Sequence, residues 1–263
     1  MAVSIITVVL NDKAGFVKTA RSIVDQDYSS LNWIVVDGGS TDGTGEEIEK
    51  YKSRIAHWSS EPDQGIYDAM NKGLAKATGA WALFLNAGDI LADSSVLSRL
   101  FSLDLSDIDV VFGDWIADYL SFKVIRKAGS AENLWQGMIF SHQSLFIRTS
   151  LSKPQGFRLQ YKIGADYEMV IRLFFSGKKF LYFPQPISVT KAYGISHKYM
   201  FASEREHLKI LKSFKSLTFL ENQYHFKKSL FLLIVSFFYR FIPKSLYLLI
   251  VKKINAKKLK RLQ

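Results

Sequence analysis

Residues Ser60–Asp89, SEPDQGIYDAMNKGLAKATGAWALFLNAGD, narrow the folds open to this chain more than any other stretch. A polar loop (Glu61, Pro62, Asp63, Gln64, Gly65) leads into a segment with helical patterning, and that into the apolar run Trp81–Leu85. The run breaks off at Asn86-Ala87-Gly88-Asp89. A short apolar run bounded by turn residues suits a strand covered on both faces. A carboxylate just beyond the C-terminal end of such a strand lies where open α/β sheets receive their ligands.

The flanking chain repeats the pattern. Ala2–Leu10 is continuous and β-branched, as a buried parallel strand requires. Asn11–Gln26 places Ala14, Val17, Ala20, Ile23 and Val24 at helical spacing. Leu31–Val36 predicts a second strand, ended by Asp37-Gly38-Gly39, and Ser40 or Thr41 can cap the helix after it. Further strands are expected at Ile55–Trp58, Asp109–Phe112 and Lys179–Phe183, the last ending at the Pro184/Pro186 break. Trp115–Tyr119 and Phe122–Arg126 alternate as a hairpin does, and Ser95–Phe101 and Ala165–Ser176 read as helices. Strand and helix in alternation predict an α/β fold with a mostly parallel sheet and helices on both faces.

Charge divides the chain in two. Met1–Glu204 carries 21 Lys and Arg against 22 Asp and Glu, whereas Arg205–Gln263 carries 14 against 2. The expected organisation is a neutral domain over 1–204 and a basic helical tail over 205–263. In the tail, Arg205–Phe219 reads as a basic amphipathic helix, and the uncharged run Ser229–Tyr239 resumes at Ser245–Val251 after Arg240, Pro243 and Lys244. Arg240 would sit at the middle of any single span, at a cost of roughly 2.5–3.5 kcal/mol on insertion scales. An interfacial segment with its cations at the headgroups is the better fit, ahead of a helix pair packed on the core. The Lys residues flank apolar runs and do not form an aromatic-interleaved groove, which disfavours nucleic acid as the partner. With no cysteine there is no disulfide framework and no thiolate metal site. The apolar N-terminus is short and has no basic segment before it, so a buried strand is expected there and not a signal peptide.

The chain holds no G-x-G-x-x-G, Walker A, H-E-x-x-H or G-x-S-x-G motif, and its five histidines are scattered. What remains is a set of acidic residues at the ends of elements. Asp37 can accept hydrogen bonds from a ribose or base edge, and it suits an Asx-turn in DGGSTDGT equally well. Asp89 suits a hard divalent cation, although by itself a turn or N-cap explains it better. Asp166 either acts as a general base or simply places a carboxylate at a helix N-terminus. His142, before the apolar Leu145-Phe146-Ile147, either contacts a phosphate or acceptor or is structural.

Taken in order, TVVLN (Thr7–Asn11), SIVDQDY (Ser22–Tyr28), VVDGGSTDGT (Val35–Thr44), SEPDQGIYDAMNKGLAKATG (Ser60–Gly79), FLNAGD (Phe84–Asp89), SHQSLFIR (Ser141–Arg148) and GADYEMVIRL (Gly164–Leu173) resemble a family 2 glycosyltransferase of GT-A fold. The resemblance covers roughly Val3–Ser196 and is strongest to enzymes of bacterial surface-polysaccharide synthesis, the colanic-acid type among them. It implies a GT-A, Rossmann-like sheet and transfer of a sugar, with inversion, from a nucleoside-diphosphate sugar to an acceptor hydroxyl. The implied acceptor is a glycan or lipid-linked glycan intermediate.

By the same resemblance Thr7, Val9 and Asp37 line the nucleoside pocket, while Glu61, Asp63 and Gly65 border the nucleotide. Asn71 and Lys72 lie towards ribose or diphosphate. Asp89 is the last acidic residue of a motif that holds a divalent metal, Mg or Mn, on the donor diphosphate; Asp166 is the base; His142 lies near donor phosphates or acceptor. Many relatives carry a second acidic residue where this chain has Ala87-Gly88. With the basic tail, the expected location is cytoplasmic, peripheral on the anionic inner face of the membrane, with no nucleic-acid partner. The rival readings are a sugar-nucleotidyltransferase, a non-catalytic nucleic-acid- or membrane-binding protein, and a catalytically silent scaffold. Asn11-Asp12-Lys13, in place of a glycine-rich phosphate loop after the first strand, weighs against the first of these.

Overall fold

A computed structural model describes residues 1–192, 199–239 and 251–253. Its centre is a sheet of nine strands among the described residues. Strands β1 (Val3–Val9), β2 (Leu31–Asp37), β3 (Ile55–Ser60) and β4 (Trp81–Phe84) form a parallel block in the order β3-β2-β1-β4. Helices α1 (Lys13–Val24), α2 (Thr44–Glu49) and α3 (Ile66–Lys76) make the crossovers. Every residue of β1 is buried because its alternating side chains feed two cores. Ile6 and Val8 pack with Tyr67, Met70 and Leu74 of α3, while Ile5 and Val9 pack with Phe16, Ala20 and Ile23 of α1. Gly73 lets α3 lie close on the sheet: a Cβ there would fall 2.4 Å from Ile6 Cγ2.

Beyond β4, β5 (Ile90–Leu91) precedes helix α4 (Val96–Phe101), and β6 (Val110–Asp118) precedes β7 (Lys123–Arg126). Strand β8 (Leu145–Arg148), the short helix α5 (Thr149–Ser152), helix α6 (Ala165–Phe175) and strand β9 (Phe180–Lys191) follow. The sheet continues β4-β8-β6-β9-β5, with β7 on the edge of β6. The α/β sheet expected from the sequence is present, with helices on both faces.

Two expected boundaries differ. Asp109–Phe112 and Trp115–Tyr119 are not separate strands, because β6 runs through both. Lys179–Phe183 does not stop at the prolines, because β9 continues to Lys191. The two strands pair Gly113 with Phe183, Asp114 with Pro186 and Trp115 with Ser188, so Pro184 and Pro186 fall where the register shifts. A bulge needs no regular ladder donor at those positions, which is what lets proline persist in a paired strand. Ser40 and Thr41 do not cap α2. Its N-cap is Gly43, and Ser40 is turned to Asp37 instead.

The tail forms α7 (Met200–Phe214) and α8 (Phe219–Tyr239), so the expected single helix over Arg205–Phe219 begins earlier and is broken. The break is a capping box. The Thr218 backbone N–H donates to the Glu221 carboxylate, and the Glu221 N–H donates to the Thr218 hydroxyl. Ile210 and Leu211 of α7 are fully buried in the core. Glu204 is buried and accepts from His225 of α8 at 2.9 Å and pairs with Lys228 at 2.6 Å. The opposite side of α8 is different: Phe219, Leu220, Phe226 and Phe231 are 63–75% exposed. Among the described residues no helix is long and apolar enough to cross a membrane. Arg240, Pro243, Lys244 and most of the apolar run Ser245–Val251 lie outside the described residues.

Candidate active site

The C-terminal ends of β1 and β4 and the loop between β3 and α3 open on a cavity of about 340 Å³, lined among others by Val9, Asp12, Asp63, Gly65, Asn86 and Ala87. Gly65 takes φ +115 to turn the loop into α3, and its N–H donates to Asp63 Oδ1 at 2.7 Å. Asp63 also packs on Gly38, whose missing Cβ would meet Asp63 Oδ2 at 2.6 Å. Val9 and the Asp63–Gly65 loop are therefore brought together from two distant segments.

Asp37 lies behind this cavity. It is 1% exposed, and its carboxylate accepts from the Ser40 N–H and from the hydroxyls of Ser40 and Ser60, both at 2.5 Å. This is the Asx-turn arrangement, and contact with a base or ribose would require one of these hydroxyls to let go. Thr7 departs from expectation. It is fully buried, and its hydroxyl accepts from the indole N–H of Trp33 at 3.0 Å, because strand alternation turns it into the core between β1 and β2. Asn71 departs too. Its amide clasps the backbone of Phe157, accepting from the N–H at 2.7 Å and donating to the carbonyl at 2.9 Å. Lys72 holds the entry loop, pairing with Glu61 at 3.0 Å and donating to the Pro62 carbonyl at 3.1 Å.

A second cavity of about 440 Å³ lies alongside, lined among others by Trp115, His142, Gln143, Asp166, Lys191 and His207. Asp166 is the second residue of α6, and its side chain is 16% exposed. Its Oδ1 accepts from the Tyr167 N–H at 2.9 Å and from the Tyr67 hydroxyl at 3.0 Å, and its Oδ2 faces His142 Nδ1 at 3.2 Å. Burial by itself raises this carboxyl. The hydrogen bond and charge of His142, the charge of His207 and the Tyr167 N–H outweigh burial and bring it below the usual carboxylate range. Burial and the Asp166 charge push the Tyr67 phenol well above the ordinary tyrosine value, so Tyr67 stays a donor.

The loop before α6 is held from the tail. The Glu206 carboxylate of α7 accepts from the N–H groups of Lys162, Ile163 and Gly164 at 2.6–3.0 Å. His207, tilted against Tyr167 at 4.3 Å between ring centroids, packs on Gly164. The segment expected to begin the tail thus supports the residue expected to be the base.

Asp89 stands between the cavities, 7% exposed. It caps no helix; the next element is β5. Its Oδ2 accepts from Gln143 Nε2 at 2.8 Å and its Oδ1 from the Lys191 N–H at 3.3 Å. Burial pushes its carboxyl up, against the opposing charges of His142 and Lys191. Three residues before it, Asn86 directs Nδ2 at His142 Nε2 across 3.4 Å and leaves Oδ1 buried without a hydrogen-bond partner. An unpaired buried acceptor three residues from a carboxylate fits a hard cation, which prefers oxygen ligands. Among the described residues no three His, Asp or Glu side chains gather into a metal cage.

Reasoning from sequence passed over Asn86, Asp12, Tyr67, Lys191 and the Glu206–His207 pair. Asn86 sits inside the NAGD motif and could have been singled out there. The positions of Lys191 and Glu206 depend on chain crossings that no local pattern records.

Comparison with known proteins bears on the family and the fold. The chain is 34% identical over 177 residues to a PGL/p-HBAD biosynthesis glycosyltransferase of Mycobacterium bovis, covering 65% of this chain and 69% of that one. It is 26% identical over 116 residues to the glycosyltransferase GlyG of Streptococcus pneumoniae, covering 43% and 38%. Among solved structures, S. aureus TarS superposes with a TM-score of 0.64 at 17% identity, covering 85% of this chain and 42% of that one, so this chain spans less than half of the whole TarS structure. The mannosyltransferase PcManGT from Pyrobaculum calidifontis, in complex with GDP-Man and Mn²⁺, superposes with a TM-score of 0.62 at 18% identity over 82% and 65%. The family model described as "Glycosyl transferase family 2" matches residues 4–183. That match spans well over half of the sequence, and with the GT-A sheet and the paired cavities the chain belongs to glycosyl transferase family 2, a nucleotide-sugar-dependent glycosyltransferase.

Proposed function

We propose that this enzyme moves a single sugar, with inversion, from a nucleoside-diphosphate sugar to a hydroxyl of a glycan or lipid-linked glycan intermediate in cell-surface polysaccharide synthesis. The observation that carries this is the placement of Asp166 in a cavity beside the one formed by Val9, Asp63 and Gly65. Relatives bound to UDP-GlcNAc and to GDP-Man share the fold, which supports a nucleotide-sugar donor.

The nucleoside occupies the cavity between the end of β1 and the loop after β3, over Val9 and against Asp63 and Gly65, with Asp37 and the Lys72–Glu61 pair fixing the loops around it. The diphosphate runs past Asn86 and Asp89 towards the second cavity. Asp166, ionised at neutral pH, takes the proton from the acceptor hydroxyl as its oxygen bonds to the anomeric carbon. Tyr67 and the Tyr167 N–H hold Oδ1, so Oδ2, whose partner is His142 Nδ1 at 3.2 Å, is the oxygen that turns to the acceptor. A divalent metal, Mg or Mn, held through Asp89 and Asn86 Oδ1, would neutralise charge on the departing diphosphate when bound. Closing the site around these groups excludes water from the transfer.

The exposed apolar side of α8 and the net basic charge of the tail suit the anionic inner face of a membrane, where each basic residue near the surface contributes about 1 kcal/mol. This arrangement keeps the enzyme cytoplasmic and peripheral, and it brings the second cavity close to a lipid-anchored acceptor. It also keeps 1–204 as the catalytic domain and 205–263 as the attachment segment, with Glu206 and His207 doing structural service for the site.

Asp166→Asn tests the assignment. Transfer is expected to fall by about 10²–10⁴-fold, the usual contribution of a positioned base. Nucleotide binding measured by calorimetry is expected to stay within error of the parent, and turnover equal to the parent's would reject the role.

A further inference from the structure

An ion pair beside Gly88 joins the linings of the two cavities. Asp12 lines the donor side and Lys191 the transfer side, and Lys191 Nζ reaches across to Asp12 Oδ2 at 3.0 Å. Gly88 makes the crossing possible: with φ +91 and no Cβ, it leaves the space in which a Cβ would fall 2.3 Å from Lys191 Nζ and 3.4 Å from Asp12 Oδ2. The base of Lys191 is fixed, since its N–H donates to Asp89 Oδ1 at 3.3 Å and it pairs with Asp118 at the end of β9. Only the flexible stem and ammonium are free to swing.

Both partners of this ion pair are accessible, with side chains 51% and 36% exposed, so the pair is weak and readily exchanged. Asp12 does not depend on it. Its Oδ1 caps α1 by accepting from the Gly15 N–H at 2.9 Å, and that bond survives loss of the ammonium. A diphosphate passing from the first cavity to the second has to cross Gly88, under the ammonium of Lys191. The donor diphosphate carries two negative charges against the one on Asp12, and the bond from the ammonium to it is charge-assisted on both sides.

We propose that Lys191 binds the donor diphosphate and that Asp12 is its resting partner. Donor binding draws the ammonium from Asp12 to the diphosphate. During transfer the bond between the anomeric carbon and the diphosphate oxygen breaks, its electron pair staying on that oxygen, while the acceptor oxygen bonds to the anomeric carbon and gives its proton to Asp166. Lys191 offsets the negative charge that the diphosphate gains, a contribution from this chain's own side chain in a motif with a single carboxylate. The inference rests on the donor reading above.

Calorimetry on the full chain with UDP, GDP, uridine and guanosine, at constant Mg²⁺, tests it. The parent is expected to bind one of the two diphosphates. Lys191→Met is expected to bind that diphosphate at least about tenfold more weakly, the loss of one charge-assisted hydrogen bond. Its binding of the matching nucleoside should not change. Lys191→Arg, which keeps the charge, should stay within about threefold of the parent. Asp12→Asn keeps the cap and removes the competing charge, so it should bind the diphosphate about twofold to fivefold more tightly. A parent that binds neither diphosphate would overturn the donor reading itself. Parent-like diphosphate binding by Lys191→Met would overturn this inference and leave that reading standing. An Asp12→Asn protein with unchanged or weaker binding would overturn the resting partnership.

Discussion

Nδ1 of His142 lies 3.2 Å from Oδ2 of Asp166, while Nε2 of the same ring faces the Asn86 amide at 3.4 Å. The imidazole therefore links the end of β4 to the start of α6. Asp166 is the residue that changes most if the ring is removed, because His142 is the chief influence opposing the effect of burial on its carboxyl.

The pH profile should report this. A carboxylate depressed below its usual value is ionised throughout the neutral range, so the acid limb of kcat/KM in the parent should lie below about pH 3.9. In His142→Asn burial is opposed only by the charge of His207 and the Tyr167 N–H, and the acid limb is expected to move up. An acid limb in the same place in both proteins would show that His142 does not set the charge of Asp166.

Asp89 offers the proposed metal a single carboxylate, already hydrogen-bonded by Gln143 and the Lys191 N–H. A cation bound without nucleotide would lack the diphosphate oxygens that complete its shell. Mn²⁺ titrated alone into the protein is expected to bind weakly, and binding should tighten when UDP or GDP is present. Tight binding of Mn²⁺ alone, read calorimetrically, would contradict the single-carboxylate site.

His207 makes stability depend on pH. Burial holds its imidazole below the usual histidine value, against the charges of Asp166, Glu204 and Glu206. The folded state then binds a proton less readily than the unfolded chain does. The stabilisation from keeping this ring neutral is fully present above about pH 6.5 and declines as pH falls towards the folded value. The urea midpoint should drop between pH 7.5 and 5.5, and the drop should be smaller in His207→Phe. Equal slopes in the two proteins would place the sensitivity elsewhere.

A truncation lacking Ser229–Gln263 keeps His225 and Lys228, the partners of buried Glu204, and removes the apolar residues from Leu230 onward. The shortened protein is expected to fold and to bind nucleotide. It should no longer sediment with vesicles containing phosphatidylserine, whereas the full chain does so in a salt-sensitive way. Continued sedimentation of the truncation would remove the tail from that role.

Much of the cavity at the end of β1 was legible because it is built from local signals. β1 and β4 are continuous apolar runs, and a parallel sheet places their C-terminal ends and that of β3 on one edge, so Val9, the Asp63–Gly65 loop and Asp89 converge. Thr7 and Asn71 could not be judged this way. Their side chains are polar and stand in the right segments, but one alternation of β1 and one turn of α3 direct them into the core and onto Phe157. The Pro184/Pro186 break misled for a related reason, since whether proline ends a strand depends on the partner strand's register.

The sequence alone determined the alternating strands and helices, the carboxylates at their ends and the concentration of positive charge after Glu204, because each follows from residue type and spacing along the chain. Only the tertiary structure decided what surrounds those carboxylates. It brought Lys191 from the end of β9 across Gly88 to Asp12, and it set His142 between Asn86 and Asp166. It also turned Glu206 and His207, near the start of an apparently separate tail, onto the loop that precedes Asp166. These contacts join residues far apart in the chain, and their geometry is set by how whole elements pack, which no local pattern of residues encodes.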